Sequence, residues 1–89
     1  MSRKEHHTRS FEKIFEQATS VGAENVILND SEVGIIQAGG GPPLSAGTIQ
    51  NRRWKGIFNA PYQHGVRGSV EYRLSDVLAE RDHRLRKQA

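Results

Sequence analysis

Residues 26–56 read VILNDSEVGIIQAGGGPPLSAGTIQNRRWKG, and this stretch decides the fold. Val26-Ile27-Leu28 is a short β-prone run. It ends at Asn29, and Glu32 stands three residues on. That is the spacing of a capping box, in which each side chain satisfies the other residue's backbone N–H. A short helix is predicted to follow, with Val33, Ile35 and Ile36 facing inward. The glycines and prolines of residues 37–43 must break it. The run Gly39-Gly40-Gly41 is read as a turn and not as a phosphate cradle. It lacks the Lys-Ser/Thr that completes a P-loop, and no long βαβ unit surrounds it. Ser45 then caps a second helix running to about Lys55, with Gly56 as its stop. The result is two short helices joined by a Gly-Pro turn.

The second helix carries the chemistry. Each helical residue advances about 100° around the axis. With Thr48 at zero, Thr48, Asn51, Arg52 and Lys55 fall on one side. Ala46, Ile49, Trp54 and, if the helix extends, Ile57 fall roughly opposite. The predicted helix therefore has an apolar back and a hydrogen-bonding, cationic front. Arg and Asn pair bidentately with guanine and adenine edges in the major groove. The front is read as a DNA-reading face; the competing reading is an ordinary solvated helix surface.

Working outward, residues 1–9 are polar and read as a flexible terminus. Residues 10–25 hold an N-terminal helix, with Ser10 as cap and Glu12 favoured by the dipole in its first turn. Phe11, Ile14, Phe15, Ala18 and Val21 recur at helical spacing and form one apolar stripe, a core face or a dimer surface. Gly22 is its predicted stop. On the other side, Tyr62-Gln63-His64 and Ser69-Val70-Glu71-Tyr72-Arg73 flank Gly65-Val66-Arg67-Gly68. Two alternating runs around a Gly-bounded connection predict a β-hairpin. Arg67 sits at its tip with His64 beside it, and Arg73 follows on the second strand. A basic hairpin beside a recognition helix is a wing, able to touch phosphate or enter a minor groove. Ser75 and Asp76 start a last helix with Leu74, Val77, Leu78 and Leu85 apolar. Arg84, Arg86 and Lys87 end it, and residues 83–89 are read as a basic tail.

Eighty-nine residues with a net charge of +3 make one small domain. The charge is uneven. Residues 1–43 carry four Lys/Arg against six acids, and residues 44–89 carry nine against four. That polarity is the footprint of a phosphate-binding surface; the competing reading is a solvated surface that is simply basic. Cysteine is absent, which excludes disulfides, a thiolate nucleophile and Cys-based zinc sites. The four His lack a metal-ligand partner at helical spacing, and every candidate Ser has a capping or turn role. The expectation is a non-enzymatic protein without cofactor or metal. No run approaches the roughly 20 apolar residues of a membrane span, and the N-terminus lacks an apolar leader core. The expected location is the cytoplasm.

The order of these segments resembles a known group. Leu28-Asn29-x-x-Glu32-Val33-Gly34 resembles the opening of the excisionase/AlpA group of small winged-helix proteins. Leu44-Ser45-x-x-Thr48-Ile49 resembles the start of that group's recognition helix, and Ile57-Phe58-x-x-Pro61 its exit. Val70-Glu71-Tyr72-Arg73-Leu74-Ser75-Asp76-Val77 resembles the second wing strand entering the final helix. The similarity covers roughly residues 26–80, and the length fits the RdfS type carried by integrative conjugative elements.

The resemblance implies an α+β, MerR-like winged-helix domain over residues 26–82, with the N-terminal helix as an addition. It implies a recombination directionality factor that binds repeated sites beside a mobile element's attachment site. Such a protein bends double-stranded DNA, associates with its neighbours there and helps a tyrosine integrase excise, with no catalysis of its own. In a bacterium that work lies at the nucleoid. The DNA-contacting set is then Ser45, Thr48, Gln50, Asn51, Arg52, Arg53 and Lys55 on the recognition helix. His64, Arg67 and Arg73 follow on the wing.

Two registers stay open for that helix. The wheel exposes Thr48, Asn51, Arg52 and Lys55. The family's register faces Gln50, Asn51 and Trp54 to DNA, with Arg52 and Arg53 at the margins. Asn51 is outward in both. The turn at residues 38–43 is longer than the group's usual one, and the family's apolar position is held here by Arg52. Two further functions stand beside this one. The same fold serves transcriptional regulators, and the Phe11/Ile14/Phe15 stripe suits a protein-interaction module.

Overall fold

The computed structural model describes residues 8–65 and 68–88. Among them are four α-helices and a three-stranded antiparallel sheet, a small α+β fold. The first helix, α1 (Phe11–Val21), starts where the Ser10 hydroxyl accepts the Lys13 N–H at 3.2 Å. It stops at Gly22, whose φ of 92° few other residues tolerate. Its apolar stripe is a core face. Ile14 is fully buried, Phe11, Phe15 and Ala18 pack against the core, and the two Phe rings lie 4.8 Å apart. Val21, at the end of the stripe, stays exposed.

A 3-10 turn (Ala23–Asn25) leads into β1 (Ile27–Leu28) and then α2 (Asp30–Ala38). Both halves of the capping box are made. The Glu32 N–H donates to Asn29 Oδ1 at 2.9 Å, and the Asn29 N–H donates to Glu32 Oε1 at 3.1 Å. Gly39 ends the helix in the left-handed region, with φ 63°. The Arg81 guanidinium from the last helix lies against Gly39 and brings a cation to the negative end of α2.

The Gly-Pro turn folds back over α2 at Gly34. Its carbonyl accepts the Leu44 N–H at 3.3 Å, and a Cβ at Gly34 would collide with the Leu44 carbonyl oxygen. A side chain there is excluded by backbone, so this contact sets how α3 (Ala46–Trp54) leaves the turn. The Ser45 hydroxyl caps α3 by accepting the Thr48 N–H at 3.1 Å. The helix is one residue shorter than expected. Lys55 closes it, Gly56 turns the chain at φ 76°, and Ile57 lies beyond.

The hairpin consists of β2 (Tyr62–His64) and β3 (Val70–Arg73), paired Tyr62 with Tyr72, Gln63 with Glu71 and His64 with Val70. Val66 and Arg67, at its tip, lie outside the described residues. The sheet order is β1-β3-β2, because β1 pairs along the free edge of β3. The Leu74 N–H extends that edge to the Val26 carbonyl at 2.9 Å. The last helix, α4 (Leu74–Gln88), therefore grows directly from β3 and not from a cap at Ser75 or Asp76. It continues through residues 83–88, which were expected as a tail.

The core gathers Ile14, Leu28, Val33, Ile36, Ile49, Phe58, Tyr72, Leu74 and Val77, with Val26 and Ala60 at the ends of strand connections. Every helix and β1 and β3 contribute to it. Each large apolar side chain buried there is worth about 1.5–3 kcal/mol. No helix among the described residues is long and apolar enough to cross a membrane.

Candidate nucleic-acid interface

Two side chains decide which way α3 faces. Ile49 is 0% exposed and points into the core. Arg53, one turn later on the same side, donates from Nη1 to Asp30 Oδ1 at 2.8 Å and to the Tyr72 hydroxyl at 3.0 Å. Its Nη2 reaches Asp30 Oδ2 at 3.4 Å, and the guanidinium lies 5.6 Å from the centre of the Tyr62 ring. Arg53 thus ties α3 to the first residue of α2, to β3 and to β2. The bond to Asp30 holds its pKa above the ordinary guanidinium value. Burial pushes the Tyr72 hydroxyl up. Tyr72 also packs against Phe58 and Tyr62, with ring centres at 5.4 and 5.7 Å.

With that side committed, the opposite face of α3 turns outward. Trp54 is five residues from Ile49, about 140° around the axis. It is 86% exposed. The wheel had put Trp54 and Ile57 in an apolar back, and both are instead at the surface. The reason is geometric. Ile49 and Arg53 fill the space between α3, α2 and the hairpin, so a second large ring has no room there. Gly47, Gln50, Asn51 and Trp54 follow one another around the opposite face. With Arg53 and Tyr62 they line a shallow groove between α3 and β2. Gln50, Asn51 and Trp54 all face solvent.

The other expected residues separate into groups. Ser45 and Thr48 use their hydroxyls on each other, 3.0 Å apart, at the helix start. Arg52 is half-buried and Lys55 exposed, at the edges of the outward face. Tyr62 and His64 lie on the sheet face shared with Tyr72, toward α3, and their rings are 5.8 Å apart. The His64 ring also meets the Gly68 carbonyl at 3.2 Å. Arg73 is on the other face of β3, in a hollow with Gln63, Glu71 and Asp76. The fold does not bring Arg73 to α3. Arg67 is outside the described residues.

Pairing redistributes the basic charge of the C-terminal half. Along α4, Arg84 pairs with Glu80 at 3.7 Å and Arg86 with Asp82 at 3.1 Å. Arg84 also donates to the Ile57 carbonyl at 2.9 Å, fastening α4 to the chain just after α3.

A second ion pair was not legible in the sequence. Glu32 is 2% exposed, and Arg9 donates to it from Nε at 2.6 Å, from Nη2 at 3.0 Å and from its backbone N–H at 3.0 Å. Arg9 also reaches the Ile27 carbonyl and the Gln17 amide oxygen. Burial raises the Glu32 carboxyl, but the Arg9 and Asn29 donors outweigh it and leave it below the usual carboxylate range. Residue 9, expected in a flexible terminus, is anchored across α1, β1 and α2. The neighbouring Thr8 borders a cleft with Gln50, Arg53 and Ser69, at the edge of the α3 face.

No protein-family model, curated protein or solved structure matches the chain.

Proposed function

We propose that the chain is a sequence-specific DNA-binding accessory protein of the excisionase type. Its fold is then a winged helix in which α3 enters the major groove and the β2–β3 hairpin is the wing. The observation that carries this is the outward row Gln50, Asn51 and Trp54 on a helix locked from behind by Ile49 and Arg53. Asn and Gln present the donor–acceptor pair that matches adenine N7 and N6. A rigid helix is what base reading requires, because the side chains must arrive in register with base edges. Lys55 and Arg52, at the margins of that face, are placed for the flanking phosphates.

The order of motifs along residues 26–80, which resembles the excisionase/AlpA group, supports the DNA-binding reading; the excisionase role is separated from a transcriptional one by the assay below. The protein occupies repeated sites beside an attachment site, bends the DNA and biases a tyrosine integrase toward excision. It works at the bacterial nucleoid and leaves strand chemistry to its partner.

Footprinting on the DNA flanking its own gene, joined to an excision assay, is the test. Evenly spaced protected repeats, with loss of excised junctions on deleting the gene, are expected. A single palindrome with unchanged junction yield means a transcriptional regulator. No protection even at low salt, where phosphate contacts are strongest, refutes DNA binding.

A further inference from the structure

Trp54 is the only Trp of the chain and is 86% exposed at the C-terminal end of the outward α3 face. An indole left in water forgoes the burial that the core gives Phe58 and Tyr72. Its neighbours on the helix surface are Gln50 at i−4 and Asn51 at i−3. Gly47, two turns back on the same side, has no side chain. The N-terminal half of the face is therefore bare and can approach a surface closely, while the C-terminal half ends in a broad apolar plate.

Resting on the DNA reading above, we propose that Trp54 is a specificity-determining residue that recognises thymine through its C5-methyl group. The argument is one of chemistry. In the major groove the base edges offer hydrogen-bond donors and acceptors, and the thymine C5-methyl is the most prominent apolar group among them, where cytosine has only a C–H. A side chain beside Gln50 and Asn51 enters the same groove that they enter. The indole face then has one class of complementary partner. The thymine lies next to the base pair read by Asn51, because one helical turn separates the two side chains. Trp54 thus adds an A·T requirement to the site by van der Waals contact, with no charge involved.

The test is a thymine-to-uracil scan of the preferred duplex, which removes one methyl at a time, read with the unaltered chain, Trp54→Ala and Trp54→Phe. Trp54→Ala keeps the fold, since the side chain supports nothing in the core, and its melting curve checks this. In the unaltered chain one or two uracils beside the Asn51 position are expected to weaken binding about four-fold, the worth of one buried methyl-sized group. The same uracils are silent in Trp54→Ala and weakened in effect in Trp54→Phe. Equal uracil effects in all three proteins overturn the proposal. So does a selective protein for which every uracil is silent. Unchanged affinity and site preference in Trp54→Ala also overturn it, and give the exposed ring to a protein partner instead. If the unaltered chain selects no duplex at all, this inference and the DNA reading fall together.

Discussion

Replacing Arg9 with Ala removes the ion-pair partner of Glu32, the most buried charged residue among those described. The change deletes the Nε and Nη2 bonds to Glu32 and the bond to the Ile27 carbonyl, and it keeps the backbone N–H of residue 9. Glu32 is left as a buried carboxylate with two backbone donors. Breaking a buried pair from one side costs about 3–5 kcal/mol. The surviving donors, and the 26% exposure of the Arg9 side chain, place this case near the lower end. About 3 kcal/mol is expected, a large share of the roughly 5–15 kcal/mol that holds a small domain together.

The loss must also depend on pH. In the unaltered chain Glu32 is depressed below its ordinary value. Its contribution is therefore present above the unfolded carboxylate pKa and fades as pH falls through the folded one. In Arg9→Ala burial acts on the carboxyl with far less opposition, so the folded pKa rises and the charged form destabilises at neutral pH. The gap between the two proteins should be widest near neutrality. It should shrink toward about pH 3, below the ordinary carboxylate value of about 4.3. Urea unfolding followed by far-UV circular dichroism is the assay; exposed Trp54 is a poor reporter of unfolding. A gap below about 0.5 kcal/mol at neutral pH, the scale of an ordinary surface change, refutes the reasoning. So does a gap of the same size at both pH values.

Gly34→Ala forces a Cβ onto the Leu44 carbonyl and should cost about 2–3 kcal/mol or more; an unchanged melting temperature would show that the turn can move aside. Asn51→Ala should keep its melting temperature and weaken binding to the preferred duplex by about 1–3 kcal/mol, with non-specific binding unaffected; gel shifts on matched and scrambled duplexes decide it. Arg53→Lys keeps the charge but not the fork that meets Asp30 and Tyr72 together. It should lose about 1–2 kcal/mol of stability with an unaltered salt slope of DNA binding. A slope lowered by about one would instead make Arg53 a phosphate contact.

Local signals carried most of the architecture. The Asn29–Glu32 spacing, the Ser10 and Ser45 caps, the stops at Gly22 and Gly39 and the hairpin flanks act over a few residues each, and each forms where the sequence places it. What the sequence could not display is whatever joins distant segments. That β1 borders β3, that Leu74 continues the strand into α4 and that Arg9 closes on Glu32 all depend on separations of 23 residues or more. The α3 register failed for a related reason. A wheel ranks side chains by polarity, so it put Trp54 in the apolar back, while the resemblance counted Arg53 among the outward DNA contacts. The fold inverted both, because Arg53 has Asp30, Tyr72 and Tyr62 waiting for it and Trp54 has no cavity. The usable clue was Ile49, whose direction places Trp54 near the outer face once it is taken as the inward anchor.

The same inversion changes how the charge of the chain should be weighed. Counted along the sequence, residues 44–89 look like a broad phosphate-binding surface. In three dimensions Arg53 belongs to Asp30, Arg84 and Arg86 are paired within α4, and Arg73 lies across the sheet from α3. Among the described residues, the cations left around the outward face of α3 are Arg52 and Lys55, at its edges, while its centre is neutral. A face of that kind contributes little to non-specific attraction, which follows the number of phosphates neutralised. In the proposed DNA-binding mode it relies on hydrogen-bond matching by Gln50 and Asn51 and on apolar contact by Trp54. If the chain reads DNA, selectivity therefore comes from α3 and general affinity must come from elsewhere. Repeated sites and contacts between neighbouring copies supply affinity without further charge on one molecule, which is the mode of action proposed for this protein.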